Sequence, residues 1–214
     1  MRGIDQGTKA TLPIPSGWIR VIGAILPYAG ILCGLFGLES GWAAILGYHA
    51  GMAAVLTIGG GWSHATRLRR GTDWRVLVPL AAACVAAGPL LVILWPLAAL
   101  PGSSLAATLA GLGLERQSWI AFVAYYSVVN PPLEEIYWRG FYAEPTSRLA
   151  PSDVLYAGYH GFVVSLFVGV AWIGVILAIL VSAGWIWRLA AKRTGGLAVP
   201  VVARSIAAVS IIAA

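Results

Sequence analysis

Charged residues along this chain are gathered into short intervals, and long apolar runs separate them. No Asp, Glu, Lys or Arg occurs in 21–38, 40–66, 76–114, 117–133 or 154–187, runs of 18, 27, 39, 17 and 34 residues. An apolar stretch of about 18 residues is long enough to cross the hydrocarbon layer as a helix. The pattern predicts seven spans, at about 18–37, 41–61, 76–99, 118–138, 153–168, 170–187 and 197–213. The interval from Asp153 to Trp187 is too long for one ordinary span and short for two with a loop, so it is divided near Gly169. The apolar, Gly-rich segment 103–114 predicts a surface or re-entrant helix. The expected fold class is all-α, a polytopic membrane helical bundle of about seven transmembrane helices.

The connectors give the expected sidedness. Arg2, Lys9 and Arg20 precede or open the first span, and Arg67, Arg69, Arg70 and Arg75 follow the second. Arg139 and Arg148 follow the fourth, and Arg188, Lys192 and Arg193 follow the sixth. With seven spans and a cytoplasmic N-terminus, every basic cluster falls on one face, as the positive-inside rule describes. Merging 153–187 into one span would move the 188–193 cluster to the other face, which favours the division. Residues 1–17, with Pro13 and Pro15, read as a polar cytoplasmic N-terminal segment without a cleaved signal, and 18–214 as a single transmembrane helical domain. A multi-pass protein of the cell membrane is expected.

Composition narrows the functional classes. Charged residues make up 10% of the 214 and hydrophobic residues 59%, whereas soluble domains carry about a quarter charged residues. A soluble enzyme, a secreted disulfide scaffold and a disordered tail are excluded. The formal charge of +6 resides in short loops rather than on a continuous face, so nucleic acid is not an expected partner. Cys33 and Cys84 both fall in apolar runs and offer neither a disulfide framework nor metal-ligand spacing.

Ionisable residues inside membrane helices are costly and usually face a cavity or a partner. The informative segment is 130–140, Asn-Pro-Pro-Leu-Glu-Glu-Ile-Tyr-Trp-Arg-Gly. Glu135 and Arg139 stand at i and i+4 and are expected to form an ion pair. Glu134 points about 100° away and is expected to be left free of it. Taken alone, the cluster is read as readily as an interfacial ion pair as a catalytic site. The second acid tips the balance, since a free carboxylate in a low-dielectric site is a candidate general base. Pro131 and Pro132 loosen the backbone just before the acids, which is tolerated where the chain lines protein or a water cavity.

Tyr156 and His160 are also at i and i+4, on the next helix. A lone His in an apolar helix is more often structural, but paired with Glu134 across a helix interface it would polarise a carbonyl or hold a water. His49 and His64 are similar lone histidines with nothing nearby to single them out. Trp62, Trp74, Trp185 and Trp187 fall at span ends, where an aromatic belt accounts for them. The chain holds no zinc-protease, phosphate-loop or nucleophile-elbow motif. Glu134, Glu135 and His160 supply three possible metal donors from two helices, short of a metal-site signature, and no cofactor is read from the chain.

The run Pro-x-x-Glu-Glu-x-x-x-Arg-Gly-Phe, at Pro131 and Glu134–Phe141, is followed on the next helix by Tyr156-x-x-x-His160. Together these resemble the CPBP family of intramembrane proteases, the CAAX-prenyl-protease and bacteriocin-processing proteins. The resemblance covers about 118–214, the expected protease-like core, with Tyr156 where the family commonly has Phe. It implies that Glu134 activates water for peptide-bond hydrolysis, with His160 assisting or stabilising the oxyanion. Glu135 and Arg139 would then be the structural and orienting pair. The implied substrates are membrane-presented peptides or proteins, either prenylated C-terminal tails or leader peptides.

The last span departs from the family. After the lead-in Gly195-Gly196-Leu197 and Pro200, the family's His-x-x-x-Asn/Asp positions fall on Arg204 and Ala208. Arg replaces a titratable donor and acceptor with a permanent cation that only donates, and Ala208 offers no side-chain hydrogen bond. Arg204 is placed to pair with Glu134. Two readings follow: an intramembrane endopeptidase using Glu134 and His160 with a rearranged third site, or a non-catalytic membrane scaffold or partner-binding member of the family.

Overall fold

A computed structural model describes residues 17–212. The expectations for Arg2, Lys9, Pro13 and Pro15 lie outside the described residues. Within them the protein is helical and contains no strand, only one isolated bridge between Ala99 and Val168.

The chain opens with α1 (Gly17–Leu32), which widens into a π-turn at Cys33–Gly37, and returns as α2 (Gly41–Ile58). Small residues let these two helices approach closely, as is common inside membranes. A Cβ on Gly47 would stand 3.1 Å from the Gly30 Cα, and one on Gly51 would stand 3.0 Å from the Leu26 carbonyl carbon. Pro27 lies inside α1 and cannot donate to the Gly23 carbonyl four residues earlier. That carbonyl accepts instead from the Tyr137 hydroxyl at 2.6 Å, so a helix defect in α1 becomes an anchor for the acidic segment.

A 3₁₀ segment (Gly61–Arg67) leads to α3 (Trp74–Ala98), which Asp73 caps by accepting from the Arg75 amide at 2.9 Å. The short α4 (Leu105–Gly111) buries none of its residues, in keeping with a surface helix. Next come α5 (Arg116–Val128), α6 (Asn130–Glu134) and a π-helical stretch at Glu135–Phe141, followed by α7 (Pro151–Val164), α8 (Val170–Thr194) and α9 (Ala198–Ile212). The division of 153–187 falls where expected, because Gly169 is the N-cap of α8. Its amide donates to the Ala98 carbonyl at 3.0 Å, tying this corner to the end of α3.

Four helical stretches are long and apolar enough to cross a membrane: Gly17–Gly37, Gly41–Ile58, Trp74–Ala98 and Val170–Thr194. The other three expected spans correspond to the broken helix α5–α6 with its π-stretch, and to the shorter α7 and α9. A multi-pass helical membrane protein follows. The buried core gathers Tyr48, Met52 and Leu56 of α2, Ile136–Trp138 of the π-stretch, Tyr156 and Tyr159 of α7, and Trp187 of α8.

Three side chains expected at span ends lie inside. Arg139 and Arg188 are buried, not loop cations, and each faces a carboxylate of its own. Trp187 is buried beneath two guanidinium groups, so a lipid-interface role does not account for it. Arg148 remains exposed in its connector, and Lys192 and Arg193 are exposed in the last turn of α8.

Candidate active site

The acidic segment sits where the helix changes pitch. Pro131 and Pro132 withdraw two amide donors, and from Glu135 the chain winds as a π-helix, a form that recurs at functional sites. Every residue of that stretch, Glu135 through Phe141, is buried. The acids are therefore enclosed within the bundle, by α2, α7, α8 and α9.

Glu134 is completely buried and is held by four donors. Its Oε1 accepts from the Tyr48 hydroxyl and the Tyr159 hydroxyl, both at 2.5 Å. Its Oε2 accepts from Asn130 Nδ2 at 3.1 Å and is bonded directly by the Arg204 guanidinium. Glu134 stays clear of the Glu135–Arg139 pair, as its position on the helix predicts, but it is not without partners. The rotation that takes it off the Glu135 face turns it toward α2, α7 and α9, each of which presents a donor.

Glu135 and Arg139 come together at 3.7 Å, and Arg204 reaches the same Glu135 oxygen at 3.2 Å. One guanidinium thus spans both acids. Arg139 lies over the Tyr156 ring at 3.9 Å, and Arg204 lies over it at 4.9 Å, with Trp187 beneath both at 5.6 and 5.1 Å. Cations over aromatic faces are favourable when desolvated. Tyr156 therefore supports the two arginines and is not among the hydrogen-bond partners of Glu134.

His160 is not among the hydrogen-bond partners of Glu134. Its ring stacks on Tyr159 at 3.9 Å, and its Nδ1 lies 3.2 Å from the Tyr156 carbonyl, one turn back on its own helix. The α7 residue that faces Glu134 is its neighbour Tyr159. Ala208 is buried and carries no donor or acceptor.

The histidine connected to the acid is His49, which the sequence does not single out. Its Nε2 donates to Asn130 Oδ1 at 2.9 Å, since an amide oxygen only accepts, and Nδ1 accepts from the Tyr125 hydroxyl at 2.7 Å. A chain Tyr125–His49–Asn130–Glu134 results. Asn130, four residues before Glu134, is the one member whose spacing points to the site. Tyr48 and His49 come from a helix 80 residues away and carry no local signal.

As possible metal donors, both Glu134 oxygens are occupied by protein groups. Among the described residues no cluster of three or more His, Cys, Asp or Glu side chains is arranged to hold a metal.

The fold is that of a helical membrane protein with a buried cluster of acids and arginines. Residues 116–210 match the model of the Rce1-like family, described as type II CAAX prenyl endopeptidase, and the match supports the resemblance to the CPBP family over that segment. No curated protein and no solved structure matches the chain significantly. The matched segment contains both acids, both arginines, Tyr156 and His160, while Tyr48 and His49 precede it.

Proposed function

We propose that this chain uses the CAAX-protease scaffold to hold a membrane-presented peptide or protein and, with its acid closed off, does not cut it. The direct bond from Arg204 to Glu134 carries this reading. A general base must accept a proton from water, so it needs an open acceptor position beside the substrate carbonyl. Glu134 has two donors on each oxygen. Arg204 cannot take up the proton, Ala208 cannot hold a carbonyl, and His160 bonds within its own helix.

The second reading is an intramembrane endopeptidase, favoured by the family match over 116–210. Glu134 would activate the water and His160 assist it, once Arg204 had swung away to Glu135 alone. In both readings the protein sits in the lipid bilayer of the cell membrane and binds no nucleic acid. Residues 1–17 form a polar cytoplasmic segment, 18–214 work as one transmembrane domain, and about 118–214 supply the protease-like core.

The test compares membrane-peptide termini, by mass spectrometry, in host cells lacking the chain and in cells carrying it as wild type or Glu134→Gln. The expected result is the same set of termini for wild type and variant. Termini that appear with wild type and vanish with Glu134→Gln would overturn the first reading. A gain of cleavage in Arg204→His/Ala208→Asn would point to an enzyme weakened at its third site.

A further inference from the structure

Helix α3 begins, and α8 ends, at the same end of the bundle, and both pack against α9. Arg75 in the first turn of α3 and Arg193 in the last turn of α8 therefore meet across a groove of about 270 Å³, whose apolar lining includes Pro79, Leu80, Ile186 and Leu189. Both arginines are exposed, and among the described residues neither takes part in an ion pair. Arg75 lies 5.5 Å over the ring of Trp74, an exposed indole of the kind that settles at headgroup depth.

Through Ile186 the groove continues into a mostly apolar trough of about 550 Å³ on the outer face of α8, past Ala183 and Ile179, with Ser182 as its one polar lining residue. Arg193 to Ile179 is 14 residues, about 21 Å along a helix and close to half the thickness of a bilayer with its headgroups. More positive charge stands beside this end. The Leu197 and Ala198 amides donate to the carbonyls of Arg67 and Arg70 at 2.9 and 3.1 Å, which brings that basic loop against the foot of α9. The nearest acid in the chain, Asp73, is engaged in capping α3.

We propose that this groove binds one anionic phospholipid, with its phosphate between Arg75 and Arg193 and an acyl chain along α8. Two unpaired cations at the mouth of an apolar trough one leaflet deep complement a molecule with charge at one end and hydrocarbon at the other. A second helix or a second copy of the chain would fill the trough and leave the arginines without a counter-charge. The site is independent of the acid cluster and of whether that cluster cuts peptides.

The experiment is native mass spectrometry of the full chain in detergent, offered phosphatidylglycerol and phosphatidylcholine with the same acyl chains. Two basic residues near an anionic headgroup, at about 1 kcal/mol each, should give about a thirtyfold preference for phosphatidylglycerol. Arg75→Ala/Arg193→Ala should bring the ratio near one, and Arg75→Lys/Arg193→Lys should keep most of it. Arg116→Ala, at the exposed start of α5, should leave it unchanged. Equal retention of the two lipids by wild type, or a preference that survives Arg75→Ala/Arg193→Ala, would overturn the proposal. So would displacement of the lipid by millimolar glycerol phosphate, which would make this a site for the free phosphate group.

Discussion

Arg204 of α9 bonds Glu134 directly and Glu135 at 3.2 Å, so one guanidinium closes over the two acids that the π-stretch presents. With Arg139 the cluster holds two carboxylates and two guanidinium groups, all buried. Buried charge is tolerable when it is paired and hydrogen-bonded, and removing one partner strands the other. Arg204 is thus the cation that balances the second acid.

Replacing Arg204 should therefore damage the fold and not only the site. Arg204→Ala leaves Arg139 alone with two carboxylates and should cost about 3–5 kcal/mol, the usual result of breaking a buried pair. Arg204→Lys should recover only part of this, since an ammonium cannot reproduce the forked contact with both acids. Thermal unfolding of the detergent-solubilised protein measures both. An Arg204→Ala protein as stable as wild type would mean that the acids do not depend on the arginine.

The Tyr125–His49–Asn130–Glu134 chain makes a separate claim. His49→Ala strips the donor from Asn130 Oδ1 inside the bundle, and a buried acceptor left unpaired costs about 1–3 kcal/mol. His49→Gln, which keeps a donor, should recover part of that loss. Combining His49→Ala with Asn130→Ala should cost less than the sum of the two single changes, because they act on one network. Strict additivity in this cycle would show that the two side chains are not coupled.

Helical class and the break at Gly169 are legible because they depend on charge-free length and on loop cations. Glu135 and Arg139 are legible because i and i+4 residues remain close even where the helix widens. The rest depends on contacts between helices distant in sequence. Nothing around Tyr48 or His49 marks them, and Tyr159 rather than His160 faces Glu134 through a one-residue difference in helix facing. Arg188 looks like a loop cation because it follows a charge-free run, yet it lies within α8 and pairs with Asp153 at 2.7 Å. Arg204 is the exception, because the family resemblance at Gly195-Gly196-Leu197 implies a place for it beside Glu134.

Arg188 also organises the connector between the π-stretch and α7. Its guanidinium donates to both Asp153 oxygens, to the Thr146 carbonyl at 2.5 Å and to the Arg148 carbonyl at 2.6 Å. Lys192 adds bonds to the Pro145 carbonyl and the Ser147 hydroxyl. Arg188→Met should release this connector and expose it to proteases, whereas Lys192→Met, an exposed contact worth about 0–1 kcal/mol, should barely change the cleavage rate. Limited proteolysis with peptide mapping over 142–150 checks the ordering, and equal sensitivity of the two variants would contradict it.

His64 provides a pH-dependent test outside the spans. It lies in the 3₁₀ connector, buried against Gly140, where an added Cβ would stand 2.8 Å from its own Cβ, and its Nδ1 has no partner. Burial, with a smaller push from the Arg67 charge, holds its pKa below the ordinary 6.5. The folded protein therefore takes up this proton less readily than the unfolded chain, so the group is neutral and costs nothing near pH 7.5. As the pH falls through about 6.5, the unfolded chain protonates first and stability declines, levelling off only below the folded pKa. Subtracting the unfolding profile of His64→Gln from that of wild type isolates this group from the carboxylates that titrate lower. The difference should be flat above pH 7 and should turn against wild type between pH 6.5 and 5.5. A difference that moves in favour of wild type on acidification would mean that the imidazolium gains a carboxylate partner in the folded protein.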